Sequence, residues 1–221
     1  MPWISPYTVD NKPLFWEPDK ALSFPEIYSL ICEYHPAGHV VSREIIACVF
    51  FEETGFCNRL QQQKGGGLGP GVGFGQIQVR HRDGKIVDGE KEPFFKSLGY
   101  SSDPTGLKSL EEMILANKRF SVQITCKYFQ WLASAGKSTE GVLKGQTGGG
   151  ENATYVPLFI EGGRRLKKAM TQDWNRAAFA EALSYAPKVG FHHNPIHFSG
   201  SHAKKKYWEY VIPDDYLKFG Y

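Results

Sequence analysis

The sequence predicts a mainly α protein of α+β type, in which a small β-hairpin interrupts a set of helices, and three observations carry that prediction. Apolar residues recur at helical spacing in several separate segments. Glycine is concentrated in a single stretch, Lys64 to Gly75, and the polar, partly β-branched run that follows, Gln76 to Val87, reads as a hairpin or ribbon around Asp83 and Gly84. Hydrophobic residues make up 41% and aromatics 14% of the 221 positions, enough to fill one large core, so a globally disordered chain is excluded.

Taken in order, Pro13 to Pro25 is a proline-punctuated approach, and a short helix over about 26–34 is ended by Pro36 and Gly38. Ser42 caps the next helix, Glu44 sits in its first turn, and Gly55 stops it. Leu107 to Ala135 carries Leu110, Ile114, Val122, Ile124, Tyr128, Phe129 and Leu132, which suits one long helix or two consecutive ones. Gly145 to Gly150 reads as a flexible loop. Helices are expected at 156–170 and at 173–185, where Pro187 closes the last. Beyond Gly190 the chain is rich in His, Lys and aromatic residues with no clear period.

The formal net charge of +3 is too small to argue for a nucleic-acid surface. The longest apolar stretch, Ile45 to Phe51, is far short of the roughly 18 residues that a membrane span requires, and no secretory leader is expected at the N-terminus. Cys32, Cys48, Cys57 and Cys126 form no Cys-x-x-Cys pair, so free thiols are expected and no metal is. His192, His193 and His197 have no acidic partner at an interpretable spacing and read as a solvated loop. Gly65 to Gly75 is not a phosphate loop, since no Gly-Lys-Ser/Thr follows it and no apolar strand precedes it. Lys204, Lys205 and Lys206 read as a solvated patch that would favour approach to an anionic wall.

The chemistry points to one carboxylate. On a helical wheel of roughly 100° per residue, Ile45, Ile46, Val49 and Phe50 share an arc, with Glu53 near its middle and Glu52 at its edge. A glutamate on an apolar face is costly unless it is paired or protonated, and burial raises its pKa, as a general acid requires. The bland alternative is an ion pair with Arg59 at the helix end.

Four segments in sequence order weigh against that alternative. Glu53, Thr54, Gly55, Phe56 resembles the Glu-Ser-x-Phe motif of the lytic transglycosylases and goose-type lysozymes, whose glutamate ends a buried helix and is the catalytic acid. Gly73, Phe74, Gly75, Gln76, Ile77 is similar to that family's Gly-Leu-Met-Gln-Ile segment lining the sugar cleft. A second register starts at Gly75 and makes Gln78 the matching glutamine. Ser121 to Phe129 is similar to the Asn-Ile-x-x-Gly-x-x-Tyr-Leu helix, with Tyr128 kept, Ser121 for Asn and Thr125 for Gly. Leu183 to Pro187 is similar to Ala-Tyr-Asn-Ala-Gly, with Tyr185 kept.

The resemblance implies a lysozyme-like domain over 42–190, preceded by an approach and first helix over 1–41 and followed by an extension over 191–221 packed on the same domain. It implies cleavage of the β-1,4 bond between N-acetylmuramic acid and N-acetylglucosamine in peptidoglycan or a related amino-sugar polysaccharide, by a monomer without metal or cofactor. Glu53 is the implied acid and base, and Thr54, Gly73, Phe74, Gln76, Gln78, Tyr128 and Tyr185 are the implied sugar contacts, with both tyrosines facing the glutamate. An inverting hydrolase also needs a second carboxylate. If Gln78 is the matching glutamine, Gly69 and Arg80 stand where goose-type lysozymes have aspartates, which favours the non-hydrolytic route to a 1,6-anhydro end. Asp83 and Asp88 are candidates to restore hydrolysis, so a muramidase stays open, as do a chitinase-like glycosidase and a non-catalytic glycan-binding module. The biological setting stays open between phage lysis, a secreted effector exported by a secretion system, and wall remodelling.

Overall fold

A computed structural model of the chain describes residues 4–9, 12–15, 18–62, 68–80, 92–101, 103–147, 155–171, 182, 183 and 185. Strands β1 (Ile4–Val9) and β2 (Lys12–Phe15) form an antiparallel hairpin. The prolines of this region hide it from sequence reading, because proline lowers strand propensity except at edges, and a two-stranded ribbon consists entirely of edges.

Helix α1 (Phe24–Tyr34) begins two residues earlier than expected. Ser23 and Glu26 close a reciprocal capping box that satisfies the first backbone donors, and Pro25 fits the first turn. Helix α2 (Arg43–Thr54) has the expected limits: the Ser42 hydroxyl accepts from the Ile45 N–H, and Gly55 takes up the left-handed conformation (φ 59°, ψ 35°) that ends it. Strands β3 (Leu60–Gln62), β4 (Leu68–Val72) and β5 (Ile77–Gln78) make an antiparallel sheet in that order, with Leu60 opposite Val72 and Gly71 opposite Gln78. The small sheet therefore begins earlier than the predicted ribbon and runs through the glycine stretch. Residues 81–91, where the rest of that ribbon was expected, lie outside the described residues.

Helix α3 (Glu92–Ser97) follows, and then Leu107 to Ala135 proves to be two helices, α4 (Pro104–Ala116) and α5 (Lys118–Ser134). Asn117 is the joint, ending one and capping the other through its side chain, which accepts from the Phe120 N–H. Helix α6 (Thr139–Thr147) corrects the expected loop at Gly145, which lies inside it. Helix α7 (Val156–Met170) has the expected limits. Ala182, Leu183 and Tyr185 are helical, in keeping with the last predicted helix; the remainder of 173–185 and the extension over 191–221 lie outside the described residues.

The protein is thus mainly helical with a small antiparallel sheet, and α2 is its central rod. Ile45 through Phe51 are all buried, because α1 and α7 both pack against this helix. The contact with α7 is the tightest. A Cβ placed on Gly163 would stand 2.5 Å from Ile45 Cγ1 and 3.0 Å from the Ile45 nitrogen, so the backbones touch where glycine removes the side chain. All four cysteines are free thiols, and burial pushes those of Cys48 and Cys126 well above the ordinary range. Among the described residues no helix is long and apolar enough to cross a membrane.

Candidate functional site

The last turn of α2 carries Glu52, Glu53 and Thr54, and their burial corrects the wheel analysis. Glu52 is the more buried carboxylate, at 6% exposure, while Glu53 is only half-buried. The wheel assumed one apolar face, but α2 is covered on nearly all sides. The stripe Ile45, Cys48, Glu52 (spacings of three and four) lies under α7, since Gly163 meets Ile45 and a Cβ on Gly162 would lie 3.4 Å from the Cys48 sulfur. Arg59 is buried beside the sheet, and its backbone carbonyl accepts from Gly73 N–H (2.9 Å) and from Gln76 Nε2 (3.1 Å).

Three of the four sequence segments meet at Phe74. The fully buried Thr54 hydroxyl lies 3.1 Å from the Phe50 carbonyl, one turn back, and 3.3 Å from the Phe74 carbonyl, so it bridges the end of α2 to the glycine turn. The Phe74 N–H donates to the Ser121 hydroxyl of α5 at 3.1 Å, and the Phe50 and Phe74 rings stack with centroids 6.1 Å apart. Next to it, Gly75 is pressed against Thr125, where any Cβ would clash with the threonine methyl. Ser121 and Thr125, which stand for Asn and Gly in the pattern that the third segment resembles, are both used to seat the second segment.

Gly73 (φ +80°) and Gln76 (φ +47°) both adopt left-handed backbone in this turn. For Gln76 that conformation is strained. Its side chain offsets the cost: Nε2 donates to the Gly73 carbonyl (2.7 Å) and to that of Arg59 (3.1 Å), closing the turn from inside. Gln76 therefore spends its amide N–H groups on the protein, whereas Gln78 on β5 is half-buried. Phe56 (φ +65°), fully buried, is the second strained non-glycine residue, so strain clusters on both sides of the carboxylate turn.

The tyrosines are distributed differently from the expectation that both face the glutamate. Tyr128 is buried in an aromatic cluster, with its ring 5.0 Å from Phe94 and stacked on Trp131 at 6.0 Å. Tyr185 lies under the Arg165 guanidinium at 4.4 Å and beside Gly162, toward the middle of α7. Tyr155, immediately before α7, interacts electrostatically with Glu52 and Glu53 at the end of α2. It is 4% exposed, and its phenol is held well above the ordinary range by burial first and then by the charges of Glu52 and Glu53.

Sequence reading missed Tyr155, which lies just outside the helix expected at 156–170. The available signal was its place on the α7 stripe Tyr155, Phe159, Gly162, Leu166. Gln146, at the end of α6, was also missed: its Nε2 donates to the Gly75 carbonyl at 3.1 Å. The nearby periodicity carries no sign of that contact.

Arg80 holds the place where the resemblance leads one to look for an aspartate, and it is paired with the buried Glu111 of α4 at 3.2 Å. Gly69, the other such place, packs against the Gln61 side chain. Asp83, Asp88 and the three histidines of the tail lie outside the described residues. Among the described residues no group of three or more His, Cys, Asp or Glu side chains is arranged to hold a metal ion.

Set beside known proteins, the chain finds no counterpart: no family model, no curated protein and no solved structure matches it.

Proposed function

We propose that this protein cleaves the β-1,4 glycosidic bond of peptidoglycan as a lytic transglycosylase, with Glu53 as the acid and base. The observation that supports it is the convergence on Phe74: Thr54 of the glutamate turn and Ser121 of α5 bind its two backbone groups, so segments 20 and 47 residues away close around one glycine turn. Independent helical packing gives no reason for those three to meet. Glu53 suits the role better than Glu52 because a general acid must come within hydrogen-bond reach of the substrate oxygen, and Glu53 is the one that solvent reaches.

In the reaction, protonated Glu53 gives its proton to the glycosidic oxygen as the C1–O bond breaks and oxocarbenium character develops at C1. The resulting carboxylate then takes the proton of the muramic acid C6 hydroxyl. O6 bonds to C1, leaving a 1,6-anhydro end and regenerating the acid without consuming water. Arg80, neutralised by Glu111, is a paired cation that offers no base for a hydrolytic water, which favours this route over the inverting one.

Mass spectrometry of muropeptides after digestion of purified sacculi tests the proposal. Anhydro ends are expected, while reducing ends, heavier by one water, would assign an inverting muramidase. Binding without cleavage would overturn the enzymatic reading in favour of a glycan-binding module.

A further inference from the structure

We infer that Tyr155 is a positioning residue of this site, set before the first turn of α7 at the level of the end of α2, where its phenol acts on the ionisation of Glu52 and Glu53. The inference rests on the reading of Glu53 as the acid and deepens it.

Helix register carries the argument. Gly163 touches Ile45, and Gly162, one residue earlier, lies against Cys48, three residues later, so α7 and α2 run antiparallel. Tyr155 precedes Gly163 by eight residues and Glu53 follows Ile45 by eight, which at roughly 1.5 Å per residue is about 12 Å along each axis, in opposite senses. The two therefore arrive at the same level. The faces agree as well: Tyr155 continues the buried stripe of Phe159, Gly162 and Leu166, and Glu52 continues that of Ile45 and Cys48.

Both Tyr155 and Glu52 are withdrawn from water, so a dipole there acts through a low dielectric. The high proton affinity of the Tyr155 phenol, caused by burial and then by these two carboxylates, is what such proximity produces. Cys48, one turn before Glu52 on the same stripe, is a thiol whose proton is held by burial, and the buried Arg59 follows the carboxylate turn in the chain; the other ionisable groups of α2 and α7 stand farther from this end. Arg43 and Glu44 lie in the first turn of α2, and Glu161, Arg164, Arg165, Lys167 and Lys168 lie six or more residues along α7, roughly 9 Å or farther along the axis. From α6, Lys144 is exposed.

Two adjacent carboxylates raise each other's proton affinity, and a phenol O–H that donates to either lowers it. A residue that must both give and take a proton depends on that balance. The test is a carboxyl titration by NMR of uniformly ¹³C-labelled glutamate in the whole protein, with Glu53→Gln and Glu52→Gln used for assignment. In Tyr155→Phe, which keeps the ring packing, at least one of the two midpoints should rise by about one pH unit, a tenfold tighter hold on the proton. The alkaline limb of the muropeptide pH profile should move up with it. Unchanged midpoints in a folded Tyr155→Phe protein would overturn the inference.

If that variant fails to fold, Glu52→Gln in the Tyr155 background reads the same coupling from the other side. The Glu53 midpoint and that of the Tyr155 phenol, followed by its ¹³Cζ signal, should both fall, and movement of neither would overturn the inference. The titrations need no substrate. Shifted midpoints without cleavage would sink the glycan-cleaving reading alone, whereas cleavage with unshifted midpoints would sink the role of Tyr155 alone.

Discussion

Substituting Gly163 by Ala tests the close contact on which the site's geometry depends. The added methyl would lie 2.5 Å from Ile45 Cγ1, 3.0 Å from the Ile45 nitrogen and 3.1 Å from its Cα, against ordinary contacts of 3.4–4 Å. The Ile45 side chain can turn away, but the backbone nitrogen and Cα cannot, so α7 must lift from α2 by several tenths of an ångström. Overpacking of this kind costs roughly 1–3 kcal/mol. It is partly offset by the roughly 1 kcal/mol that alanine gains over glycine in a helix interior.

The neighbouring Gly162→Ala carries the same propensity gain but meets nothing nearer than the Ala182 carbonyl at 3.2 Å, the Cys48 sulfur at 3.4 Å and the Tyr185 Cβ at 3.5 Å. The difference between the two variants therefore isolates the steric term. Gly163→Ala should be less stable than Gly162→Ala by about 2 kcal/mol, or about 4 to 8 °C in Tm for a chain of this size. Urea and thermal denaturation followed by circular dichroism measure it. Equal stability of the two variants, or a Gly163→Ala protein more stable than the wild type, would refute the backbone contact and with it the register that brings Tyr155 to Glu52.

Glu53→Gln should abolish release of muropeptides while shifting Tm by no more than about 2 °C, corresponding to the roughly 0.5 kcal/mol typical of a substitution outside the core; retained activity would move the chemistry elsewhere. Thr54→Val keeps the shape but removes the hydroxyl that reaches the Phe74 carbonyl, and should cost about 1 to 2 kcal/mol in denaturant titrations and slow cleavage, because the glycine turn loses its tie to α2. His35, buried with Nε2 2.8 Å from the Val41 carbonyl, is pushed down to about 4 by burial, with His39 and Arg43 adding to it. Its folded pKa lies below the unfolded value near 6.5, so its contribution is complete above pH 6.5 and is lost as pH falls toward 4, by at most about 3 kcal/mol. Urea midpoints at pH 7.5, 5.5 and 4 should show this decline, and a His35→Gln protein with an undiminished slope would assign the effect to other groups.

The local signals in the sequence determined the limits of α2 and α7 and the mainly helical character with a small β element after the glycine stretch, but not the β1–β2 hairpin. Ser42 and Gly55 act through backbone groups a few residues away, so their meaning does not depend on the rest of the chain. Glu53 was legible as a candidate for a related reason, since a carboxylate on an apolar helix stands out before any partner is known. What covers that helix was not legible. Only the packing of α7 shows that the stripe through Ile45 and Cys48 ends on Glu52 and makes it the more buried of the pair. The same packing sets Tyr155 at the level of the carboxylates, because register between two helices is decided where their backbones can touch, here at Gly162 and Gly163. Likewise the role of Gln76, an inward closure of a strained turn, follows from the carbonyls of Gly73 and Arg59, and the one 17 residues away is brought there by the sheet. Periodicity records which face of an element is apolar; it does not record which neighbour covers that face or at what height, and the chemistry of this site depends on both.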